Sequence, residues 1–132
     1  LREALQKILI VGAGGFVGAN ARYWFGMWAV QRFGNAFPWA TFLINISGSF
    51  LLGFLIVFLM ARAPSAEMQN LRLLLAVGFL GAYTTFSTFE YETLALTQSG
   101  NIGRAFLNAL GSLIAGFIAV YLGEVAAKGA LR

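Results

Sequence analysis

Gly78-Phe79-Leu80-Gly81-Ala82-Tyr83-Thr84-Thr85-Phe86-Ser87-Thr88-Phe89 lies inside a long apolar segment spanning about residues 70 to 96. Two glycines, a Thr-Thr pair and a Ser-Thr pair interrupt that segment, and Phe86 and Phe89 stand three residues apart. In a continuous helix glycine costs about 1 kcal/mol relative to alanine, and β-branched threonines crowd the preceding turn. Concentrating them at one depth predicts a helix break near residues 81–85. Carbonyls freed by such a break cannot face lipid and must meet protein, water or an ion. The alternative is an unbroken, tightly packed Gly/Thr helix crossing.

The surrounding composition sets the class. The chain has 132 residues, 59% hydrophobic and only 11% charged, with nine Lys+Arg, five acidic residues (all Glu), no His and no Cys. A soluble domain carries about 25% charged residues, so this chain lacks the means to cover a water-facing surface. It reads as an integral membrane protein in a single domain, residues 1–132. Without Cys or His there are no disulfides, no thiol chemistry and none of the usual zinc sites. The net charge of +4 is small and scattered, which fits lipid headgroup contacts at helix ends and argues against a nucleic-acid surface.

Working outward from the third segment, four apolar stretches follow one another: 5–30, 38–61, 70–96 and 103–127. Each reaches the roughly 20 residues a bilayer crossing needs, and no period-2 alternation points to strands. Gln31-Arg32-Phe33-Gly34-Asn35 followed by Pro38-Trp39 reads as a helix end, a turn and a new helix with proline in its first turn. Arg62-Ala63-Pro64-Ser65-Ala66-Glu67 and Gln98-Ser99-Gly100-Asn101 read as the other two connections. The first stretch is too long for a removable signal peptide and shows no cleavage-type site. Trp24, Trp28 and Trp39 form an interfacial belt. Four crossings place Arg2, Lys7, Arg62, Arg72, Lys128 and Arg132 on the side of both termini, against Arg32 and Arg104 opposite. That bias favours cytoplasmic termini.

Residues four apart share a helix face. Gly14, Gly18, Arg22 and Gly26 do so in the first segment, Thr41, Asn45, Ser49 and Gly53 in the second, and Asn108, Ser112 and Gly116 in the fourth. Close helix packing accounts for the small residues. Asn45 and Asn108 need hydrogen-bond partners, and two such amides on different helices point to a wet seam. Arg22 either snorkels or meets a solute. Glu90 is placed at a water-filled vestibule, with a solvated helix end as the other reading of Glu90 and Glu92. The opening Gly12-Ala13-Gly14-Gly15-Phe16-Val17 mimics a dinucleotide turn, yet Val17 stands where the third glycine belongs and no acidic residue follows at the right distance. Enzyme chemistry lacks parts, because no His, Cys or Asp is present to act beside a Ser or Thr.

Asn45-Ile46-Ser47-Gly48-Ser49-Phe50 and the run from Gly78 to Phe89 together resemble the small bacterial fluoride channels, the CrcB or Fluc family. The run from Gly14 to Tyr23 and the Asn108/Ser112/Gly116 stripe fit as well, so the likeness touches all four segments. Tyr83 departs from it, standing where a smaller or aliphatic residue is expected. The resemblance implies a homodimer of oppositely oriented subunits in the bacterial cytoplasmic membrane. It implies passive, fluoride-selective conduction that relieves fluoride toxicity through two pores at the dimer interface. Phe86 and Phe89 match the paired pore phenylalanines, Asn45 the pore asparagine, and Ser112 and Thr88 side chains of the polar track. Gly81 and Thr84 match positions whose carbonyls hold a structural sodium ion on the dimer axis, and Arg22 matches an arginine near the pore mouth.

Physical reasoning agrees in part. A bundle of this size is too thin to enclose a pore alone. Phenyl edges are partially positive and face an anion without trapping it, and amide and hydroxyl donors replace its water weakly enough for exit. Four carbonyl oxygens suit a monovalent ion, although the residues alone do not separate sodium from water. The six-to-two charge bias pulls the other way, toward one orientation. A small proton-coupled multidrug exporter is the main rival, and its first-helix carboxylate is represented here only by Glu3, outside the apolar core. A non-transporting membrane scaffold is the other.

Overall fold

A computed structural model describes all residues, 1–132. The chain is entirely helical: α1 Arg2–Phe33, α2 Trp39–Met60, a third helix over Ala66–Gln98 that is interrupted once, and a last helix Ile102–Ala130. The third helix divides into α3, residues 66–83, and α4, Phe86–Gln98; the last helix is α5. All four helices are long and apolar enough to cross a membrane. Three of the four helices run past their apolar stretches at both ends, whereas α2 falls one residue short at each. Arg2, Glu3 and Lys7 are helical, as are Gln31 and Arg32, because a charged residue ends the apolar stretch without ending the helix. What ends α1 is Gly34, whose φ of 74° only glycine adopts freely. Gly100 does the same after α4, at φ 78°. The third helix starts at Ala66, four residues before the apolar segment, because Ser65 accepts a hydrogen bond from the Met68 amide and caps it.

Within α3, residues Leu73–Leu80 wind as a π-helix, and the Gly81 amide closes on the Ala76 carbonyl five residues back. Nothing in Leu73-Leu74-Leu75-Ala76-Val77-Gly78-Phe79-Leu80 announces this widening. It coincides with a close helix approach, where a methyl group on Gly14 would meet the Leu74 carbonyl oxygen and one on Gly18 the Phe79 carbonyl. The packing of α1 on the π-segment is one of two extensive contacts. The other is α2 against α5, where Gly53 abuts the Val120 carbonyl and Gly123 that of Phe50. Without a hydrophobic driving force in lipid, such backbone approach is what holds membrane helices together.

The long-range side-chain hydrogen bonds are distributed unevenly. Thr41 to Glu92, Asn45 to Thr85, Ser47 to Tyr83, Asn108 to Thr93 and Arg104 to the Ala36 carbonyl all join separate elements. Every one lies in the half of the bundle that carries the α1–α2 and α4–α5 loops. The half carrying the termini and the α2–α3 loop is joined by glycine contacts instead. Only 16 of 132 residues are buried, so one chain forms a thin, laterally open bundle.

The glycine contacts are testable. Gly18→Val is expected to destabilise the folded protein by about 1 to 3 kcal/mol, as overpacking does, whereas Gly12→Val, in open space, should be silent. Thermal unfolding of both variants in detergent checks the contrast.

Candidate functional site

The helix is broken at two residues. Tyr83 is the last helical residue of α3, Thr84 is extended at φ −79°, ψ 156°, and Thr85 at φ −148°, ψ 115°. The local reason is a competition for backbone groups. The Thr84 hydroxyl donates to the Leu80 carbonyl at 2.8 Å, beside the bond from its own amide at 3.0 Å. An unbroken helix would next give the Thr85 amide to Gly81. Here that amide donates to Asn45 Oδ1 at 2.8 Å, and Asn45 Nδ2 donates back to the Thr85 carbonyl at 3.0 Å. The Asn45 side chain thus pairs with Thr85 as a neighbouring strand would, and the Gly81 carbonyl is released from its helical donor. Gly48 lets the break lie directly on α2, since a methyl group there would collide with the Thr84 side chain. Thr85 then caps α4: its hydroxyl oxygen accepts from the Thr88 amide at 3.3 Å.

An open groove of about 630 Å³ runs beside this break. Asn45, Gly81, Thr84, Phe86, Phe89 and Ser112 all line it, together with apolar residues of α2 and α5. These are six of the eight site residues expected from the sequence. The other two do not. Thr88 is exposed away from the groove, where its hydroxyl oxygen accepts from Thr85. Arg22 is half-buried on α1 with no hydrogen-bond or ion-pair partner. The rings of Phe86 and Phe89 are 5.8 Å apart at an interplanar angle of 42°, and Phe86 is 73% exposed.

The chemistry of the groove is two-sided. The N-terminus of α4 brings free N–H groups and a partial positive charge, and Asn45 retains one amide hydrogen after bonding Thr85. These suit an anion, as do the phenyl edges. The C-terminal carbonyls of α3, Gly81 among them, carry the opposite partial charge and suit a cation. The released Gly81 carbonyl and the groove position of Thr84 therefore fit an oxygen-bound monovalent cation. No cluster of three acidic side chains stands anywhere to hold a multivalent one.

Behind the groove wall a directed chain of donors runs from Ser112 Oγ to Asn108 Oδ1 at 3.4 Å, from Asn108 Nδ2 to Thr93 Oγ1 at 2.9 Å, and from Thr93 to the Phe89 carbonyl at 2.8 Å. Asn108 is 1% exposed, and its amide oxygen and nitrogen each have a side-chain partner, so at this position the polar seam is buried within the chain. The inward acidic residue is Glu92 and not Glu90. Glu92 accepts from the Thr41 hydroxyl at 2.8 Å and lines a second cavity of about 410 Å³ near the α1–α2 loop, with its other oxygen buried and unpartnered. Glu90 is exposed. Spacing held the signal: Glu92 lies three residues after Phe89 and shares its face, while Glu90 is turned by a quarter of the helix or more.

The chain matches the family model described as CrcB-like protein, Camphor Resistance (CrcB), over residues 9–124. It is 48% identical over 120 residues to the Fluoride-specific ion channel FluC of Acidobacterium capsulatum, covering 91% of this chain and 94% of that one. The protein of the same description from Thermus thermophilus is 44% identical over 119 residues, 90% of this chain and 91% of the relative. That from Prosthecochloris aestuarii is 42% identical over 128 residues, 97% and 98% of the two chains.

Replacing Asn45 by Leu removes both bonds to Thr85 and leaves a buried N–H and C=O without partners. The expected cost is about 1 to 3 kcal/mol for each group left unpaired, read as a lowered unfolding temperature with accelerated amide exchange at Thr85.

Proposed function

This chain belongs to the CrcB-like family, and on that premise we propose that it is a passive, fluoride-selective channel, not an enzyme. The observation that carries the reading is the groove itself: donors, phenyl edges and a helix N-terminus gathered at one break inside a membrane-spanning bundle. Fluoride is small and strongly hydrated, so a pathway must replace its water with donors without binding so firmly that exit stops. Asn45 and Ser112 supply the polar side, and Phe86 and Phe89 supply edges that attract an anion weakly. Passage down the fluoride gradient then lowers the fluoride content of the cell.

The groove is open along one side of the single chain, and its polar groups cannot face hydrocarbon. A second copy of the chain closes it. An antiparallel homodimer would bring two such grooves together and form two pores, with the membrane placed as the bacterial cytoplasmic membrane. Against the equal use of both orientations stands the six-to-two Lys/Arg bias. Support for the pairing comes from the exposed Phe86 and the thin core. On the axis of such a pair, the Gly81 and Thr84 carbonyls of both copies would hold a sodium ion. Bound there, sodium supplies a fixed positive charge that satisfies oxygens otherwise left bare. These residues hold the break open, and Asn45 keeps it so.

Reconstituted protein is expected to release fluoride from loaded liposomes without a proton or sodium gradient, and to pass chloride barely at all. Equal rates for the two halides, or fluoride release that requires a counter-gradient, would overturn the reading. Phe86→Ile should reduce fluoride flux strongly while the elution profile in detergent is kept. A purely structural Phe86 would instead leave flux per folded protein unchanged.

Orientation is read separately. Single cysteines at Ala66 and Gly129 should each be labelled in part by an impermeant thiol reagent outside intact cells. Complete protection at both would remove the antiparallel pair.

A further inference from the structure

Tyr83 sits immediately before the break. It is 7% exposed, its ring stacks on Phe79 with centroids 5.7 Å apart and planes 7° apart, and its hydroxyl lies 2.9 Å from Ser47 Oγ. Ser47 has one hydroxyl hydrogen, and that hydrogen goes to the Ile44 carbonyl at 3.1 Å. With the Ser47 hydrogen so placed, Tyr83 donates and Ser47 accepts; with it turned to Tyr83 the same contact runs the other way.

Two residues of α2 therefore hold the third helix on either side of Thr84. Ser47 holds the α3 side through Tyr83, and Asn45 holds the α4 side through Thr85. Gly48, between them on the arc of α2, leaves the space that a methyl group would need to share with the Thr84 methyl and the Tyr83 ring. Between them lies Thr84, its amide and hydroxyl both bonded to the Leu80 carbonyl. With both neighbours fixed, its extended conformation is fixed as well.

From this geometry we infer that Tyr83 is a positioning residue for the pore: its hydroxyl, held by Ser47, sets the angle of the break and so the direction of the Gly81 and Thr84 carbonyls and of Phe86. The inference rests on the channel reading for its consequence in flux, and on the Ser47 and Asn45 hydrogen bonds alone for its consequence in backbone motion. Tyr83 touches no permeating ion and does not line the groove. It acts through the backbone.

Tyr83→Phe keeps the stack on Phe79 and deletes only the hydroxyl. Amide exchange at Thr84 and Thr85 should accelerate by about three- to tenfold, as expected for losing one net hydrogen bond, while amides in α5 hold their rate. Fluoride flux per folded protein should fall, and the sodium-dependent rise in unfolding temperature should shrink. Ser47→Ala should reproduce the exchange effect, the double variant should add nothing to it, and Ser47→Thr, which keeps a hydroxyl, should restore the parent behaviour. Unchanged exchange at Thr85 in both single variants, or simple additivity in the double, overturns the inference whatever the flux. Accelerated exchange with undiminished flux also overturns it, by making the hydroxyl a stabilising contact only. Parent protein that carries no fluoride would overturn the channel reading instead, and the exchange measurements would still judge the positioning role in the backbone.

Discussion

The pairing of Asn45 with the backbone of Thr85 is the contact on which the site depends. Inside a bilayer a backbone amide without a partner costs several kcal/mol, so a helix cannot simply stop there. Asn45 removes that obstacle by offering an acceptor and a donor at the spacing of a peptide group. Once Thr85 is satisfied from α2, α3 can end at Tyr83 and α4 can begin at Phe86. The two helix ends then face each other across two residues, carbonyl end against amide end. A single side chain on a neighbouring helix thereby creates two oppositely polarised surfaces in the middle of an apolar bundle.

The rest of the packing makes room for that contact. Gly48 removes the side chain that would hold α2 away from Thr84, and Gly14 and Gly18 bring α1 onto the π-segment that leads to the break. π-winding is rare and concentrates near functional sites. Here it lies directly upstream of the break, so that the backbone passes from α to π to a last α turn, Gly81–Tyr83, and then to extended residues. The hydrogen-bond ladder changes its spacing before it is interrupted.

Much of this was legible in the sequence. Four crossings followed from the apolar stretches, and the break from glycine and threonine falling at one depth. The asparagine that holds it was conspicuous because an amide in an apolar helix needs a partner. What was hidden depends on direction and not on composition. Thr88 belongs to the same motif as Phe86 and Phe89 but turns outward, because the capping bond with Thr85 fixes the first turn of α4. Glu92 was separated from Glu90 only by its phase relative to Phe89. Asn108 looked like Asn45 and proved to be a buried structural partner of Thr93. The π-segment has no residue signature at all, and the bond between Tyr83 and Ser47 joins positions 36 residues apart that no local pattern links.

The uneven placement of hydrogen bonds along the bundle has a mechanical meaning. Directional bonds fix the register of the helices at one end, where a displacement of half an ångström would lengthen several of them at once. At the other end glycine contacts restrict how near the helices come but resist sliding far less. Cross-element bonds therefore run from the middle of the bundle to one end, and glycine contacts fill the remainder. A single copy is expected to yield to lateral pressure more readily in one leaflet than in the other. In a head-to-tail pair each leaflet would hold one bonded half and one glycine-packed half, and the two leaflets would meet equal resistance.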